Sequence, residues 1–268
     1  MRIATWNVNS IRARIDRVIA YLASADVDVL ALQETKVAAA AFPREPFEAA
    51  GYEVAAAGAG QWNGVAVISR AGLDDVAPAF PGQPPFGDPP AVEPRALGAT
   101  CGPLRIWSLY APHGRSATHP HMAYKLTWLE ALAHAAHGWL EAAPGAPIAL
   151  LGDWNVAPLD TDVWDVTYFD GATHVSPAER RAFAAFGEAG YREVTREFIP
   201  AERQYTQWDY QAGRWHRDQG MRIDFAYCSP AVAEAVTAVR IVRDERAGRG
   251  ASDHVPVEID IADGLGAR

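Results

Sequence analysis

Short apolar runs rich in β-branched and aromatic residues recur along the chain and predict β-strands. They cover residues 3–6, 27–32, 52–56, 64–69, 104–109, 148–151, 223–227, 236–242 and 255–261. Between them, apolar residues recur at helical spacing over residues 12–24 and 122–140. A further helix is predicted over 177–187, with Ser176 as its N-cap and Pro177 at its first position. This mixture of strands and helices predicts an α/β fold.

Two of the predicted strands are followed by similar polar clusters. Trp6-Asn7-Val8-Asn9 follows the strand at 3–6, and Asp153-Trp154-Asn155-Val156 follows the strand at 148–151. Such an echo is typical of two similar halves packed together, although chance also produces a match of this length. We therefore expect an α/β sandwich.

No segment has the composition of a linker between domains. The stretch richest in Pro and Gly, residues 78–90, is short and carries two Phe, which indicates a surface loop. We expect one domain over residues 1–262, followed by a frayed C-terminal tail at 263–268.

Composition narrows the class of protein. Of the 268 residues, 49% are hydrophobic, which excludes a disordered chain. Cys101 and Cys228 are too few for a disulfide framework or a cysteine zinc site, and this favours a reducing compartment. No apolar run approaches the ~18–20 residues that cross a bilayer, and no signal-peptide pattern is visible. We expect a soluble cytoplasmic protein that does not associate with membranes.

The charge of the chain limits how it can attract a polyanion. The sequence has 24 Lys and Arg against 33 Asp and Glu, a formal net charge of -9. Proteins that bind nucleic acids usually show a basic surface, so any such surface here must be a local patch.

Polar residues gather where the predicted strands begin or end. Because a rigid sheet holds several loops toward one point, we expect these residues to converge. Asn, Asp and Gly also close strands as ordinary turns, so each cluster carries little weight alone. The clusters contain Asn7, Glu34, Tyr110 with His113, Asp153 with Asn155, and Asp253 with His254.

The oxygen-bearing side chains in these clusters restrict the chemistry. Asn7, Glu34, Asp153, Asn155 and Asp253 are hard ligands that suit Mg²⁺ or Mn²⁺ better than zinc or copper. An oxygen site with a nearby His, and without a reactive Cys or Ser motif, predicts metal-assisted attack of water on a phosphodiester. The sequence lacks a glycine-rich nucleotide loop, which disfavours ATP-dependent chemistry.

Asp224 is an acidic residue inside an apolar strand. A carboxylate in this position needs a partner, because an unpaired buried charge costs several kcal/mol. Pairing with His254 would fix the tautomer of the imidazole and stabilise its charged form. The alternative is a structural bridge to Arg222, which shares a strand face with Asp224.

The polar clusters occur in five longer motifs: Thr5-Trp6-Asn7-Val8-Asn9, Leu32-Gln33-Glu34-Thr35-Lys36, Gly152-Asp153-Trp154-Asn155, Gly220-Met221-Arg222-Ile223-Asp224 and Ser252-Asp253-His254-Val255-Pro256. Their order and spacing resemble the exonuclease III family of apurinic/apyrimidinic endonucleases. The resemblance extends over nearly the whole chain and includes residues 171–180. It implies a DNase I-like, four-layered α/β sandwich in which two mixed six-stranded sheets pack together between flanking helices.

The same resemblance implies a divalent-metal-dependent DNA repair nuclease acting on double-stranded DNA. Such enzymes incise the backbone 5′ to abasic sites, remove blocking groups from 3′ ends and degrade duplexes from the 3′ end. Glu34 and Asn7 would then hold the metal, with Asp253 nearby and with Asp153 and Asn155 as further ligands. The number of metal ions and the identity of the general base stay open.

The resemblance also implies roles around the scissile phosphate. Asp153 would orient or deprotonate the attacking water, and Asn155 would hold the phosphate. Tyr110 would contact the phosphate or assist the leaving oxygen. His254, aligned by Asp224, would stabilise the transition state.

Two positions depart from the family pattern. The family usually has an aromatic pair where this chain has Gln207 and Trp208. The missing ring is expected to line the pocket for an extrahelical abasic sugar. His113 stands where a smaller polar residue is usual and would add a contact or crowd the lesion. Both changes bear on the balance between abasic-site incision and 3′-end trimming.

Further DNA contacts are predicted on the surface. We expect Arg12 and Arg115 to contact phosphates. The other expected DNA contacts are His113, Gln207, Trp208 and Met221. Arg14, Lys125 and Arg222 are weaker candidates, and for each of the five basic residues an ordinary surface charge is the alternative. The protein is expected to act as a monomer.

Two alternatives to the DNA nuclease are considered. One is a phosphodiesterase of the same fold with another substrate, such as a phosphoinositide or sphingomyelin, which the segment 171–180 disfavours. The other is a nucleic-acid-binding relative that has lost catalysis, which the complete set of polar residues disfavours.

Overall fold

Strands and helices are mixed along the chain, as the apolar pattern predicts. The structure, a computed structural model, describes residues 1–262 and 264–265. The strands in this part of the chain are β1 Arg2–Asn7, β2 Val29–Gln33, β3 Glu53–Ala57, β4 Val65–Ser69, β5 Asp74–Ala77, β6 Ala96–Cys101, β7 Leu104–Tyr110, β8 Ile148–Asp153, β9 Arg192–Glu193, β10 Asp224–Cys228, β11 Val236–Ile241 and β12 Val257–Ile261. The α-helices are α1 Ile11–Ala25, α2 Glu45–Ala49, α3 Pro120–Ala142, α4 Pro177–Glu188, α5 Val194–Phe198 and α6 Pro230–Ala233.

The strands form two mixed sheets. Within the described residues, each sheet has six strands, in the orders β11-β12-β1-β2-β4-β3 and β5-β6-β7-β8-β10-β9. In each sheet one central pair is parallel, β1 with β2 and β7 with β8. The flanking pairs of both sheets are antiparallel. The two halves thus repeat one arrangement, as the echoed polar clusters indicate.

Alternating side chains divide the core into layers. Ile3 of β1 packs between the sheets with residues such as Ile106, whereas Trp6 packs on the outer face against α1. On the other side, Trp128 of α3 covers the second sheet. This sheet-on-sheet packing with helices outside confirms the predicted four-layered α/β sandwich.

Local sequence signals account for the helix α4. Ser176 accepts a hydrogen bond from the backbone of Glu179, and the Glu179 carboxylate accepts one from the Ser176 backbone. This reciprocal capping, with Pro177 at the first turn, confirms the predicted start.

The predicted loop at 78–90 is anchored by its two aromatic residues. Phe80 packs edge-on against Trp128, and Phe86 stacks on Tyr124. The predicted C-terminal tail at 263–268 lies largely outside the described residues. In residues 1–262 and 264–265, no helix combines the length and apolarity needed to cross a membrane.

Candidate active site

The parallel strand pairs bring the predicted site residues to one edge of the sandwich. Asn7 ends β1 and Asp153 ends β8. Glu34 directly follows β2. Asp224 begins β10 and pairs in register with Asp153. His254 lies shortly before β12 and forms a β-bridge to Gln207.

Asn7 joins the two sheets at this edge. Its Nδ2 donates to Glu34 Oε1 over 2.8 Å and to Asp153 Oδ2 over 2.9 Å. Its Oδ1 accepts from the backbone N of Asn9 over 3.0 Å. The completely buried amide therefore fixes two carboxylates relative to each other.

Glu34, Asp153 and His254 each present a potential ligand atom to one small space. These atoms lie within 4.8 Å of one another. Lys36 Nζ stands 2.8 Å from Glu34 Oε2. Burial alone would raise the pKa of Glu34, but Lys36 and Asn7 lower it below its ordinary value. Glu34 is therefore ionised at neutral pH, as a hard-cation ligand must be.

Asp224 orients His254. His254 Nδ1 lies 2.8 Å from Asp224 Oδ2, and His254 Nε2 lies 3.8 Å from Asp153 Oδ2. Thr206 Oγ1 donates to the same Asp224 oxygen over 2.6 Å. The alternative partner, Arg222, is buried and directs Nη1 to the carbonyl of Ile199. Of the two pairings considered from the sequence, the structure has the one with His254.

Asp153 and His254 shift each other's protonation. Burial and the charge of Asp224 raise the pKa of Asp153, although His254 opposes this. Burial alone would lower the pKa of His254, but Asp224 and Asp153 raise it well above its ordinary value. At neutral pH the imidazole is therefore a cation beside a carboxylate that takes up protons unusually readily.

Asn155 lies next to Asp153 in a left-handed conformation, with φ 51°. Its backbone N donates to Asp153 Oδ1 over 2.9 Å, and its side-chain Nδ2 donates to the Ala111 carbonyl over 2.9 Å. Asn155 Oδ1 lies 3.1 Å from His174 Nε2. The amide oxygen is thus turned toward His174.

Tyr110 ends β7 in contact with a buried cation. The Arg95 guanidinium carbon lies 4.9 Å from the centre of the Tyr110 ring. Burial and the nearby charge of Glu34 raise the pKa of Tyr110 well above its ordinary value. The phenol is therefore protonated and can donate a hydrogen bond.

Asp253 lies beside the site but apart from its central cluster. Asp253 Oδ1 accepts from Asn9 Nδ2 over 2.9 Å. The group of potential ligand atoms found among residues 1–262 and 264–265 comprises Glu34, Asp153 and His254, without Asp253.

Gln207 and Met221 border the site through the backbone. They exchange hydrogen bonds over 2.9 Å in both directions, and Gln207 also bridges to His254. Trp208 is completely buried, and its Nε1 donates to Asp218 Oδ1. The prediction that the Trp208 side chain contacts DNA is therefore wrong, because core packing hides the ring.

The predicted basic DNA contacts have different surroundings. Arg12, Arg115 and His113 are exposed. Lys125 is completely buried in an ion pair with Glu179, and Arg222 is likewise buried. The prediction that Lys125 or Arg222 contacts DNA is wrong, because both side chains are buried and cannot reach a phosphate.

Two site residues carry no signal in the strand-end pattern. Thr206 holds Asp224, and His174 holds Asn155. Both lie in or next to segments that carry the family resemblance. Thr206 directly precedes Gln207, and His174 lies within residues 171–180. Their position in these segments is a signal in the sequence. Their partners are not, because Asp224 and Asn155 lie 18 and 19 residues away along the chain.

The chain matches a family model and a curated relative over most of its length. The model of the endonuclease/exonuclease/phosphatase family matches residues 4–254. An exodeoxyribonuclease of Bacillus subtilis (strain 168) is 30% identical over 267 residues, covering 97% of this chain and 99% of the relative.

Solved structures are also similar to the whole chain. A 3′-5′ exonuclease from Neisseria meningitidis has a TM-score of 0.91 and 33% identity, covering 98% of this chain and 100% of the other. A 3′ phosphatase from Neisseria bound to a product DNA hairpin has a TM-score of 0.91 and 32% identity, over 97% and 99%. An AP endonuclease from Archaeoglobus fulgidus has a TM-score of 0.89 and 32% identity, over 97% and 99%.

Proposed function

The chain belongs to the endonuclease/exonuclease/phosphatase family, and from this we propose that it is a divalent-metal-dependent nuclease of DNA. Proteins similar to it over nearly its whole length include an exodeoxyribonuclease, a 3′-5′ exonuclease, a 3′ phosphatase and an AP endonuclease. The observation that carries the proposal is the convergence of two carboxylates, Glu34 and Asp153, with the imidazole of His254, from each of which one polar atom lies within 4.8 Å of the other two.

The donor atoms at the site fit a hard divalent cation, and Mg²⁺ or Mn²⁺ is the proposed cofactor. Glu34 and Asp153 supply carboxylate oxygens, and the Nδ2 of Asn7 donates to both of them, so the ligand atom proposed for Asn7 is its Oδ1. Asp253 is a further proposed ligand, whereas Asn155, a ligand candidate in the sequence, turns its Oδ1 toward His174 and is assigned to the phosphate instead. His254 is cationic and therefore unsuited to bind a metal. When bound, such an ion polarises a phosphate and neutralises its charge.

The side chains around this position have complementary tasks in phosphodiester hydrolysis. Asp153 orients the attacking water and accepts its proton, since its raised pKa suits a base acting near neutral pH. The water oxygen forms a bond to phosphorus while the bond from phosphorus to the leaving oxygen breaks, and the leaving oxygen keeps the bonding electrons and takes up a proton from solvent. Asn155 Nδ2 and the Tyr110 hydroxyl donate to phosphate oxygens, and cationic His254 stabilises the charge of the transition state.

Substrate choice has two candidates within this chemistry. Processing of 3′ ends is favoured by Gln207, because an amide offers less apolar contact than an aromatic ring to an abasic sugar. Incision at abasic sites is favoured by the similarity to the AP endonuclease structure. Double-stranded DNA with a 3′ end or an abasic site is therefore the proposed substrate.

The remaining expectations concern the state of the protein. Strands from both chain ends share one sheet, which supports one domain over residues 1–262. A monomeric state, a cytoplasmic location and independence from membranes stay predictions of the sequence.

A pair of matched duplexes tests the proposal. One has a recessed 3′ end bearing a phosphate, and the other has one abasic-site analogue; each is incubated with Mg²⁺ or with EDTA. We expect Mg²⁺-dependent release of phosphate or nucleotides, and strand incision in the second duplex. Metal-independent retention of DNA without cleavage would instead support a binding protein, and hydrolysis of a lipid phosphodiester would support another substrate.

A further inference from the structure

His174 is a buried histidine whose imidazole contacts the side chain proposed to hold the phosphate. Its Nε2 lies 3.1 Å from Asn155 Oδ1, and its Nδ1 lies 2.9 Å from Thr173 Oγ1. Thr173 Oγ1 also lies 2.7 Å from the His113 carbonyl. These contacts restrict where the hydrogen atoms can be.

Counting donors shows the direction of the contact with Asn155. If Thr173 donates its one hydroxyl hydrogen to His174 Nδ1, the neutral ring carries its hydrogen on Nε2, and Thr173 then has no hydrogen for the His113 carbonyl. If Thr173 donates to the His113 carbonyl, Nδ1 must carry a hydrogen. A neutral ring would then set the Nε2 lone pair against Asn155 Oδ1, so this arrangement needs a doubly protonated ring.

Turning the Asn155 amide around does not relieve this constraint. Asn155 Nδ2 donates to the Ala111 carbonyl over 2.9 Å, and a turned amide would place two oxygens there. With the amide in this orientation Asn155 Oδ1 can only accept, so its contact with His174 is a hydrogen bond in which Nε2–H donates to Oδ1. The Nδ2 of Asn155 then has one hydrogen on Ala111 and a second for another acceptor.

The backbone holds His174 in a costly conformation. Its φ is 80°, in the left-handed region that a side chain with a Cβ rarely adopts. Its N donates to Glu179 Oε1 over 2.8 Å, and its carbonyl accepts from Ala157 N over 2.8 Å. Glu179 is itself paired with Lys125, which also donates to the Asn155 carbonyl. The buried pair thus fixes the backbones of both His174 and Asn155.

We propose that His174 is a positioning residue, whose Nε2–H fixes the amide of Asn155 so that Nδ2 can donate to a phosphate oxygen. This inference rests on the proposed function, in which Asn155 holds the scissile phosphate. His174 itself touches neither the proposed metal ligand Glu34 nor the base Asp153 through a hydrogen bond; its ring nitrogens face Thr173 and Asn155.

A double-mutant cycle on the 3′-phosphate duplex tests the inference. We expect His174→Ala to lower kcat about 10-fold with little change in KM, the signature of a lost interaction in the transition state. His174→Gln should recover most of this loss, because its amide nitrogen can replace Nε2 as the donor. In an Asn155→Ala background, His174→Ala should cost less than about 2-fold.

The matched control is His121→Ala, which removes another buried histidine, one whose Nδ1 accepts a hydrogen bond from the backbone N of Gly114. Its effect should be the same with Asn155 or with Ala at position 155. Full additivity of His174→Ala with Asn155→Ala, or a Gln variant as slow as the Ala variant, would overturn the inference. In that case wild-type activity and its loss in Asn155→Ala still stand, so the proposed function survives separately.

A spectroscopic measurement gives a second readout that does not use catalysis. The side-chain NH₂ resonances of Asn155 are assigned by their disappearance in Asn155→Ala. We expect His174→Ala to shift or broaden them and His174→Gln to leave them sharp. Unchanged resonances in His174→Ala would show that the amide is fixed without the imidazole, which contradicts the inference.

Discussion

Nδ1 of His254 lies 2.8 Å from Oδ2 of Asp224, a carboxylate at the completely buried start of β10. Thr206 donates to the same oxygen, so the position of the carboxylate is fixed before the imidazole meets it. His254 lies in a loop, and this contact holds its imidazole in a fixed position relative to the sheet. The proposed transition-state cation therefore depends on a residue that touches no substrate.

The first prediction concerns this pair. Asp224→Asn should lower kcat about 10²–10³-fold, because the imidazole loses both its orientation and its charge partner. Asp224 raises the pKa of His254, so its removal lowers that pKa. The fall of activity at alkaline pH should accordingly begin at lower pH in the variant. A pH–rate profile checks this; an unshifted alkaline limb would show that Asp224 does not set the charge of His254.

The second prediction concerns metal binding. Glu34→Gln should lower turnover by about 10²-fold or more and weaken Mn²⁺ binding, because the neutral amide removes a negative ligand. Calorimetric titration with Mn²⁺ and steady-state kinetics measure the two effects. Glu45→Gln, an exposed acid on α2, is the matched control and should change neither. Equal Mn²⁺ affinity in both variants would remove Glu34 from the metal site.

The third prediction concerns the base. Asp153→Asn keeps the shape of the side chain but should lower kcat about 10²–10⁴-fold. The pKa of Asp153 is raised, so the wild-type enzyme should lose activity as protonation of this carboxylate sets in on acidification. The residual activity of the variant should lack this acidic limb. Near-wild-type turnover would exclude Asp153 as the residue that activates water.

The fourth prediction concerns substrate choice. Gln207→Trp should raise abasic-site incision relative to 3′-end digestion, because an aromatic ring restores apolar contact to a sugar without a base. Gln207 bridges to His254 through the backbone, so the new ring would stand beside the catalytic groups. The ratio of the two rates on matched duplexes measures the effect. An unchanged ratio would show that this loop does not select the substrate.

Most of the fold was predictable because its strands have strong local patterns. The inner strands β1, β2 and β8 are runs of apolar residues and were predicted within a few residues. β6, Ala96–Cys101, was missed because small residues dominate it. A glycine is required at position 98 by tertiary packing, because a Cβ there would lie 2.7 Å from the Arg105 guanidinium and 2.8 Å from the Trp107 ring. Such crowding is invisible in the sequence.

The candidate site was predictable where residues end strands, and less so where they support one another. Asn7, Glu34 and Asp153 meet because parallel strands bring their carboxyl ends together. The contacts of Thr206 with Asp224 and of His174 with Asn155 depend instead on how loops pack against one another. A threonine and a histidine are common in turns and surfaces, so their contacts become evident only in three dimensions.

The last prediction concerns the buried ion pair that ties these loops together. Lys125 and Glu179 are both completely buried, and Glu179 also accepts from the backbones of His174 and Ser176. Lys125→Met should destabilise the protein by about 3–5 kcal/mol, because it leaves a buried carboxylate without its cation. Adding Glu179→Leu should recover part of this loss, although the hydrogen bond from Ser176 N to the Glu179 carboxylate is then lost from the helix cap. Urea unfolding measures the free energy of unfolding of each variant.

The exposed pair Arg192–Glu197 offers the control, since Arg192→Met should cost less than about 1 kcal/mol. Equal losses in Lys125→Met and Arg192→Met would mean that the buried pair contributes no more than a surface one, and the loops around Asn155 would need another source of rigidity.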